Sequence, residues 1–267
     1  MIDNDERPSG RVLTRREILA LFGGSSAALI AACSPAGILT GSSSPAPASA
    51  NAAAAQATAA SSVAVALPSC VVRPALTEGP YFVDEKLNRS DIRTDPSNNT
   101  ARPGTALAIT FNVARVGAAG CTALAAAQID VWHCDALGVY SDSTDPNFGS
   151  TKGQKFLRGY QLTDASGKAI FTTIYPGWYQ GRAVHVHFKI RTTAANGAVS
   201  DFTSQLFFDE TLNDVVLSQT PYSQHPASGR LRNSGDGIYQ GGGDKLLVKP
   251  AQSGSSYSLS IDIGLAS

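Results

Sequence analysis

Histidine is scarce here, with four in 267 residues; tryptophan occurs twice and methionine once. Net charge is missing too, because 21 Lys and Arg balance 21 Asp and Glu. A neutral chain lacks the basic face that nucleic-acid phosphates demand, so no nucleic-acid partner is expected. The four cysteines contain no Cys-x-x-Cys pair, which argues against a thiolate zinc site. There is no Gly-x-Gly-x-x-Gly, no P-loop and no internal repeat. Nucleotide-binding and solenoid architectures therefore find no footing.

What is present begins with a targeting segment. Arg15 and Arg16, in T-R-R-E-I-L, precede an apolar run from Ile18 to Ala32. That run is too short to cross a bilayer comfortably and reads as a signal-peptide core. The twin arginine resembles a Tat signal, a route for proteins exported folded, often with a cofactor aboard. The run ends I-A-A-C, Ile30 to Cys33, similar to a bacterial lipobox whose cleavage leaves Cys33 lipid-modified. An ordinary secretory peptide is the alternative. The expectation is a signal over 1–33 and an exported protein, periplasmic or at the cell surface, touching the membrane through a lipid on Cys33. Export permits a disulfide. Cys70, Cys121 and Cys134 allow one bridge and one free thiol, and Cys70–Cys121 is preferred because Cys134 lies inside a motif treated below.

Residues 34–66 are rich in Ala, Ser, Pro and Gly with no charged side chain, the composition of a flexible tether. The folded domain is expected over 67–267. There the signals are β: Ala106 to Val116, A-Q-I-D-V-W-H, Lys155 to Leu162, A-I-F-T-T-I, A-V-H-V-H-F-K-I-R, F-T-S-Q-L-F-F and Y-S-L-S-I-D-I. D-A-S-G-K supplies a turn, so Lys155 to Ile174 reads as a hairpin. D-E-T-L-N-D-V-V-L-S, after Asp209, is the one credible short helix. The fold class is all-β, an antiparallel β-sandwich core with long loops and one or two short helices.

Two of the four histidines stand one residue apart in this pattern. Side chains i and i+2 of a strand share a face, so His185 and His187 lie side by side while Val184, Val186 and Phe188 point the other way. Two imidazoles on one face can share a metal. No Cys and no carboxylate lies between Tyr175 and Lys189. The neighbourhood offers phenols instead: Tyr140, Tyr160, Tyr175 and Tyr179. A free phenol ionises near pH 10, so phenolate ligation at neutral pH needs a strongly Lewis-acidic ion. Hard anionic oxygen beside imidazole suits Fe(III) better than Zn(II) or Cu(I). A copper or zinc sandwich enzyme built on the same pair needs a third histidine or a carboxylate nearby.

W-H-C-D-A-L-G-V-Y-S, then G-Y-Q-L-T-D-A-S-G-K-A-I-F-T-T-I-Y-P-G-W-Y, then R-x-x-H-V-H-F together resemble the intradiol ring-cleavage dioxygenases, the catechol and protocatechuate type. T-E-G-P-Y-F-V-D with S-D-I-R, and T-S-Q-L-F-F-D, extend the resemblance from Thr77 to Tyr239. It implies a non-haem Fe(III) held by Tyr140, Tyr179, His185 and His187, with Tyr175 not a ligand. Arg182 would stabilise charge on bound substrate and Gln205 would sit near the reacting carbon. Tyr179 would take a substrate proton. Pro80 and Tyr81 would line the substrate mouth. Trp178 stands where a smaller residue or proline is common, so it would narrow the cavity. The usual R-P-A-H-x-H reads R-A-V-H-V-H here, which removes no ligand. His133 is not expected to be a ligand, and His225 reads as a loop residue. The implied reaction cleaves a catechol-type ring between its two hydroxylated carbons with O2, giving a cis,cis-muconate-type diacid without a reductant or organic cofactor. Family members are often dimers or larger, so a homo-oligomer is an expectation. The competing reading is an exported β-sandwich lipoprotein, a binding module with a vestigial metal site.

Overall fold

A computed structural model describes residues 71–194 and 196–266, which fall in one compact unit. The signal, the tether, Cys33 and Cys70 lie outside the described residues. Two five-stranded sheets face each other. One runs β12 (Leu247–Val248), β11 (Val199–Phe208), β10 (His185–Thr193), β5 (Gln128–Trp132), β8 (Arg158–Leu162). The other runs β13 (Ala251–Ser253), β14 (Ser256–Ala266), β3 (Ala106–Gly117), β4 (Gly120–Ala123), with β9 (Lys168–Ile174) also on β3. Small pairs β1 (Thr94–Asp95) with β2 (Thr100–Ala101) and β6 (Thr144–Asp145) with β7 (Gly149–Ser150) stand apart. Most pairings are antiparallel; β3–β14 and β11–β12 run parallel.

Alternation decides which faces meet. In β3, Leu107, Ile109, Phe111 and Val113 are buried while Ala106, Ala108, Thr110 and Asn112 between them are partly open. In β10, Val186, Phe188 and Ile190 turn into the sandwich. Phe111 of one sheet meets Phe188 of the other with ring centroids 5.1 Å apart. Each such side chain contributes roughly 1.5–3 kcal/mol by leaving water. His185, His187, Lys189 and Arg191 therefore occupy the outer face of β10, where loops cover them.

The expected hairpin over Lys155 to Ile174 is not one. The turn exists, with Asp164 Oδ1 accepting from the N–H of Ser166 and of Lys168 at 2.8 and 2.9 Å. Its two strands enter different sheets: β8 pairs with β5, and β9 pairs with β3. Alternation marks a strand but not its neighbour, so this turn is a corner between layers. The helix after Asp209 forms as α1 (Glu210–Leu217), and the Asp209 side chain accepts from Thr211 N–H. A second short helix, α2 (Gly237–Gln240), is capped by Asp236 in the same way. Cys121 is disulfide-bonded and Cys134 is free and buried, so those two are not partners.

Candidate active site

β10 is flanked by β11 and β5, which fixes the neighbours of its outward histidines. His187 lies opposite Gln205 on one side and Trp132 on the other. The Trp132 ring stacks on the His187 ring at 4.9 Å and 7°. His185 Nδ1–H donates to the Ala183 carbonyl at 2.6 Å, which leaves Nε2 with a bare lone pair. That Nε2 lies 2.9 Å from His187 Nε2 and 3.5 Å from the Tyr140 hydroxyl. His187 Nδ1 is buried without a hydrogen-bond partner. Burial pushes the His185 imidazole down to about 3, with the Arg182 charge adding to the effect, and burial pushes His187 well below its usual range. Both rings are neutral at pH 7, the form that ligates metals.

The phenols arrive on loops. Tyr140 lies in the loop after β5 and is fully buried; Tyr179 lies in the loop after β9 and is half-buried. Their ring centroids are 5.6 Å apart, and Tyr179 lies 5.6 Å from His185. Burial raises the Tyr140 phenol well above its usual value and Tyr179 to about 12, with Arg182 opposing the rise in both. Neither ionises at neutral pH unless a cation takes the proton's place. Two facing imidazole Nε2 atoms and two phenols thus fit a hard trivalent cation. Among the described residues no cluster of three or more His, Cys, Asp or Glu could hold a metal, which leaves a copper or zinc site short of ligands. Tyr175 is elsewhere: its hydroxyl donates to Asn213 Oδ1 at 2.7 Å inside the core. Tyr160 sits on β8 opposite Asp130. His133 has both ring nitrogens engaged, with the Cys134 carbonyl at 2.8 Å and Thr173 Oγ1 at 2.7 Å.

Arg182 reaches over the pair. Its Nη2 donates to Gln205 Oε1 at 2.6 Å and its Nε donates to Asp236 Oδ2 at 2.9 Å, while its backbone N–H donates to the Tyr179 carbonyl at 3.2 Å. Gln205 in turn donates to the Thr77 carbonyl at 2.8 Å, which seats the Thr77–Tyr81 segment on the sheet. Gly79, at φ +71°, brings the backbone against His187; a Cβ there would stand 3.3 Å from His187 Cε1. Pro80, exposed, leads to Tyr81, which stacks on Tyr140 at 4.2 Å and bonds Asp145 at 2.5 Å. Arg158 ties these loops from beneath, donating to the carbonyls of Tyr81 and Ser141. Asp236, Asp145 and Arg158 did not emerge from sequence reasoning. Asp236 had one available signal, an Asp before the short helical stretch G-I-Y-Q, the pattern of an N-cap.

Tyr179 forms part of the wall of a cleft of about 570 Å³. Trp178 lines it too, stacked on His225 at 4.1 Å and 13°. His225 is therefore a wall of the cleft and not only a loop residue.

All the expected ligand positions thus converge beside one cleft on the outer face of a β-sandwich. The Dioxygenase family model matches residues 77–224. An intradiol ring-cleavage dioxygenase from Tetranychus urticae is 32% identical over 73% of this chain and 94% of that one, with a TM-score of 0.61. The chain belongs to the intradiol ring-cleavage dioxygenase family. Two further solved structures share the fold. The dioxygenase domain of a dioxygenase–carbohydrate-binding fusion from Streptomyces sp. SirexAA-E is 24% identical over 73% of this chain and 99% of that one, at TM-score 0.50. Chlorocatechol 1,2-dioxygenase from Pseudomonas putida is 22% identical over 72% of both chains, also at 0.50. The binding-module alternative draws no support from these matches.

Proposed function

We propose that this protein is an oxidoreductase that cleaves the ring of a catechol-type substrate between its two hydroxylated carbons, using both atoms of O2 and releasing a cis,cis-muconate-type diacid. Tyr140, Tyr179, His185 and His187 would hold a non-haem Fe(III), which when bound supplies a Lewis acid that draws electron density from the substrate ring. The observation that carries this reading is the meeting of two neutral imidazole nitrogens, 2.9 Å apart, with the Tyr140 hydroxyl beside them.

The chain's own groups divide the remaining work. Tyr179 is the ligand phenol that reaches the cleft, so its oxygen is suited to accept a proton from the substrate hydroxyl. The Arg182 guanidinium, fixed by Asp236 and Gln205, places a positive charge where negative charge grows on the ring. Its orientation is set before substrate arrives, which is where such stabilisation gains its strength. Trp178 walls the cleft with aromatic surface, and Tyr81 packs behind it against Tyr140 and Tyr179. Export through the twin-arginine signal and a lipid anchor at Cys33 belong to the same proposal and rest on the sequence alone, as does a homo-oligomeric state.

The test is oxygen uptake with catechol, with product identified after reaction under labelled O2. A ring-opened diacid carrying both labelled atoms is the expected result. No uptake by iron-loaded protein, or a product labelled once, would overturn the reading.

A further inference from the structure

The turn that leads into Tyr140 also builds a ridge. Asp135 Oδ1 accepts from the N–H groups of Leu137 and Val139 at 2.9 and 3.0 Å, which tightens the chain. Gly138, at φ +84°, lets that turn lie on the Trp178 carbonyl; a Cβ there would be 2.2 Å from its oxygen. Leu137 crests the ridge and is 40% exposed. On one side lies the cleft beside Tyr179. On the other lies a second chamber of about 760 Å³, and Leu137 and Gln224 belong to the walls of both.

The second chamber differs in chemistry. Arg102, Thr105, Asp135, Gln219 and Gln224 line it. Arg102 Nη1 lies 3.8 Å from Asp135 Oδ2, so the two charges offset each other. Arg102 is held further by a 2.8 Å bond to Gln154 and by the Phe156 ring, 3.6 Å beneath it. Thr105 is fixed from behind, its N–H donating at 3.0 Å to the Tyr222 hydroxyl, which donates in turn to the Tyr175 carbonyl. The lining that results is rigid and close to neutral, with amide and hydroxyl groups as donors and acceptors. Such walls suit the hydroxyls of an uncharged group and hold no net ion. Size points the same way. The inner cleft alone, about 570 Å³, falls within the roughly 300–1,000 Å³ that sheathes a drug-sized ligand. A lone dihydroxybenzene ring would leave much of it to water.

We infer that the substrate is an extended catechol, whose dihydroxy ring sits at Tyr179 and whose neutral, polyhydroxylated extension passes Leu137 into the second chamber. The inference rests on the dioxygenase reading above. Two probes separate them: 4-methylcatechol, which needs the inner cleft only, and catechin, a catechol joined to a polyhydroxylated second ring system. Steady-state KM and anaerobic dissociation constants are measured for both, the latter from the visible band so that binding is read apart from turnover. Catechin is expected to bind about tenfold tighter, equivalent to about 1.4 kcal/mol. Gln219→Trp, an exposed substitution that fills the outer chamber, is expected to abolish that advantage, and Gln224→Ala to reduce it. Equal constants in the wild type, or an advantage that survives both substitutions, overturns the extended-substrate inference and leaves the dioxygenase reading standing. A protein that binds and oxidises neither compound overturns both.

Discussion

Asp236 does its work without touching the histidines. Its Oδ2 takes bonds from Arg182 and from the Ala183 N–H, and its Oδ1 takes bonds from Ile238 and Tyr239. Burial alone would raise this carboxyl, but the Ala183 N–H and the Arg182 charge outweigh burial and hold it below the usual range. Asp236→Asn keeps the shape and removes the charge that aims Arg182. We expect kcat/KM for catechol to fall about a hundredfold, the scale of one lost electrostatic stabiliser, with the iron band retained. An unchanged kcat/KM would show that Arg182 needs no such support. His133 gives a pH prediction. Burial pushes its pKa from 6.5 down to about 4, so the native state binds its proton later than the unfolded state. Its contribution is full above about pH 6.5 and is lost progressively as pH falls toward about 4, on the order of 3 kcal/mol in all. Urea midpoints measured across that window should drop for the wild type, and less steeply for His133→Gln.

At the scale of elements, β10 and the Thr77–Tyr81 segment form one device. Leu76 N–H donates to the Thr203 carbonyl at 2.9 Å, Gln205 donates to Thr77, and Lys189 pairs with Glu78, so the segment is stitched to the sheet. Gly79 is the close approach, and Gly79→Ala forces a side chain into left-handed backbone against His187. The expected cost in stability is about 1–3 kcal/mol. Iron occupancy should fall more than the urea midpoint does; iron binding equal to wild type would contradict this placement. The elements themselves were largely legible in the sequence. β3, β5, β10, β11, β14 and α1 announce themselves by alternation or by a cap, and the His-x-His pair declares its shared face through the period of two. Partnership was not legible. The Asp164–Lys168 turn looks like a hairpin because local signals report strand and turn, whereas the choice between β5 and β3 as neighbour is made by long-range packing. Asp236 and His225 were missed for the same reason: each reaches the site from far along the chain, without a spacing that marks it.

Across the whole molecule, the four proposed ligands come from three separate pieces: the loop after β5, the loop after β9, and β10. A cation bound by all of them stabilises only the folded state, by about 2.7 kcal/mol when free metal exceeds its dissociation constant a hundredfold. Chelation should therefore lower the calorimetric midpoint, and ferric iron should restore it. A midpoint indifferent to iron would contradict a site assembled across the fold. The chemistry proposed for this protein depends on the four-ligand set, which the visible spectrum of the purified ferric protein reads out. We predict a broad tyrosinate-to-iron band that moves to longer wavelength when catechol is added without O2, and that changes in Tyr179→Phe. A ferric-reconstituted protein that stays colourless and indifferent to catechol would contradict it.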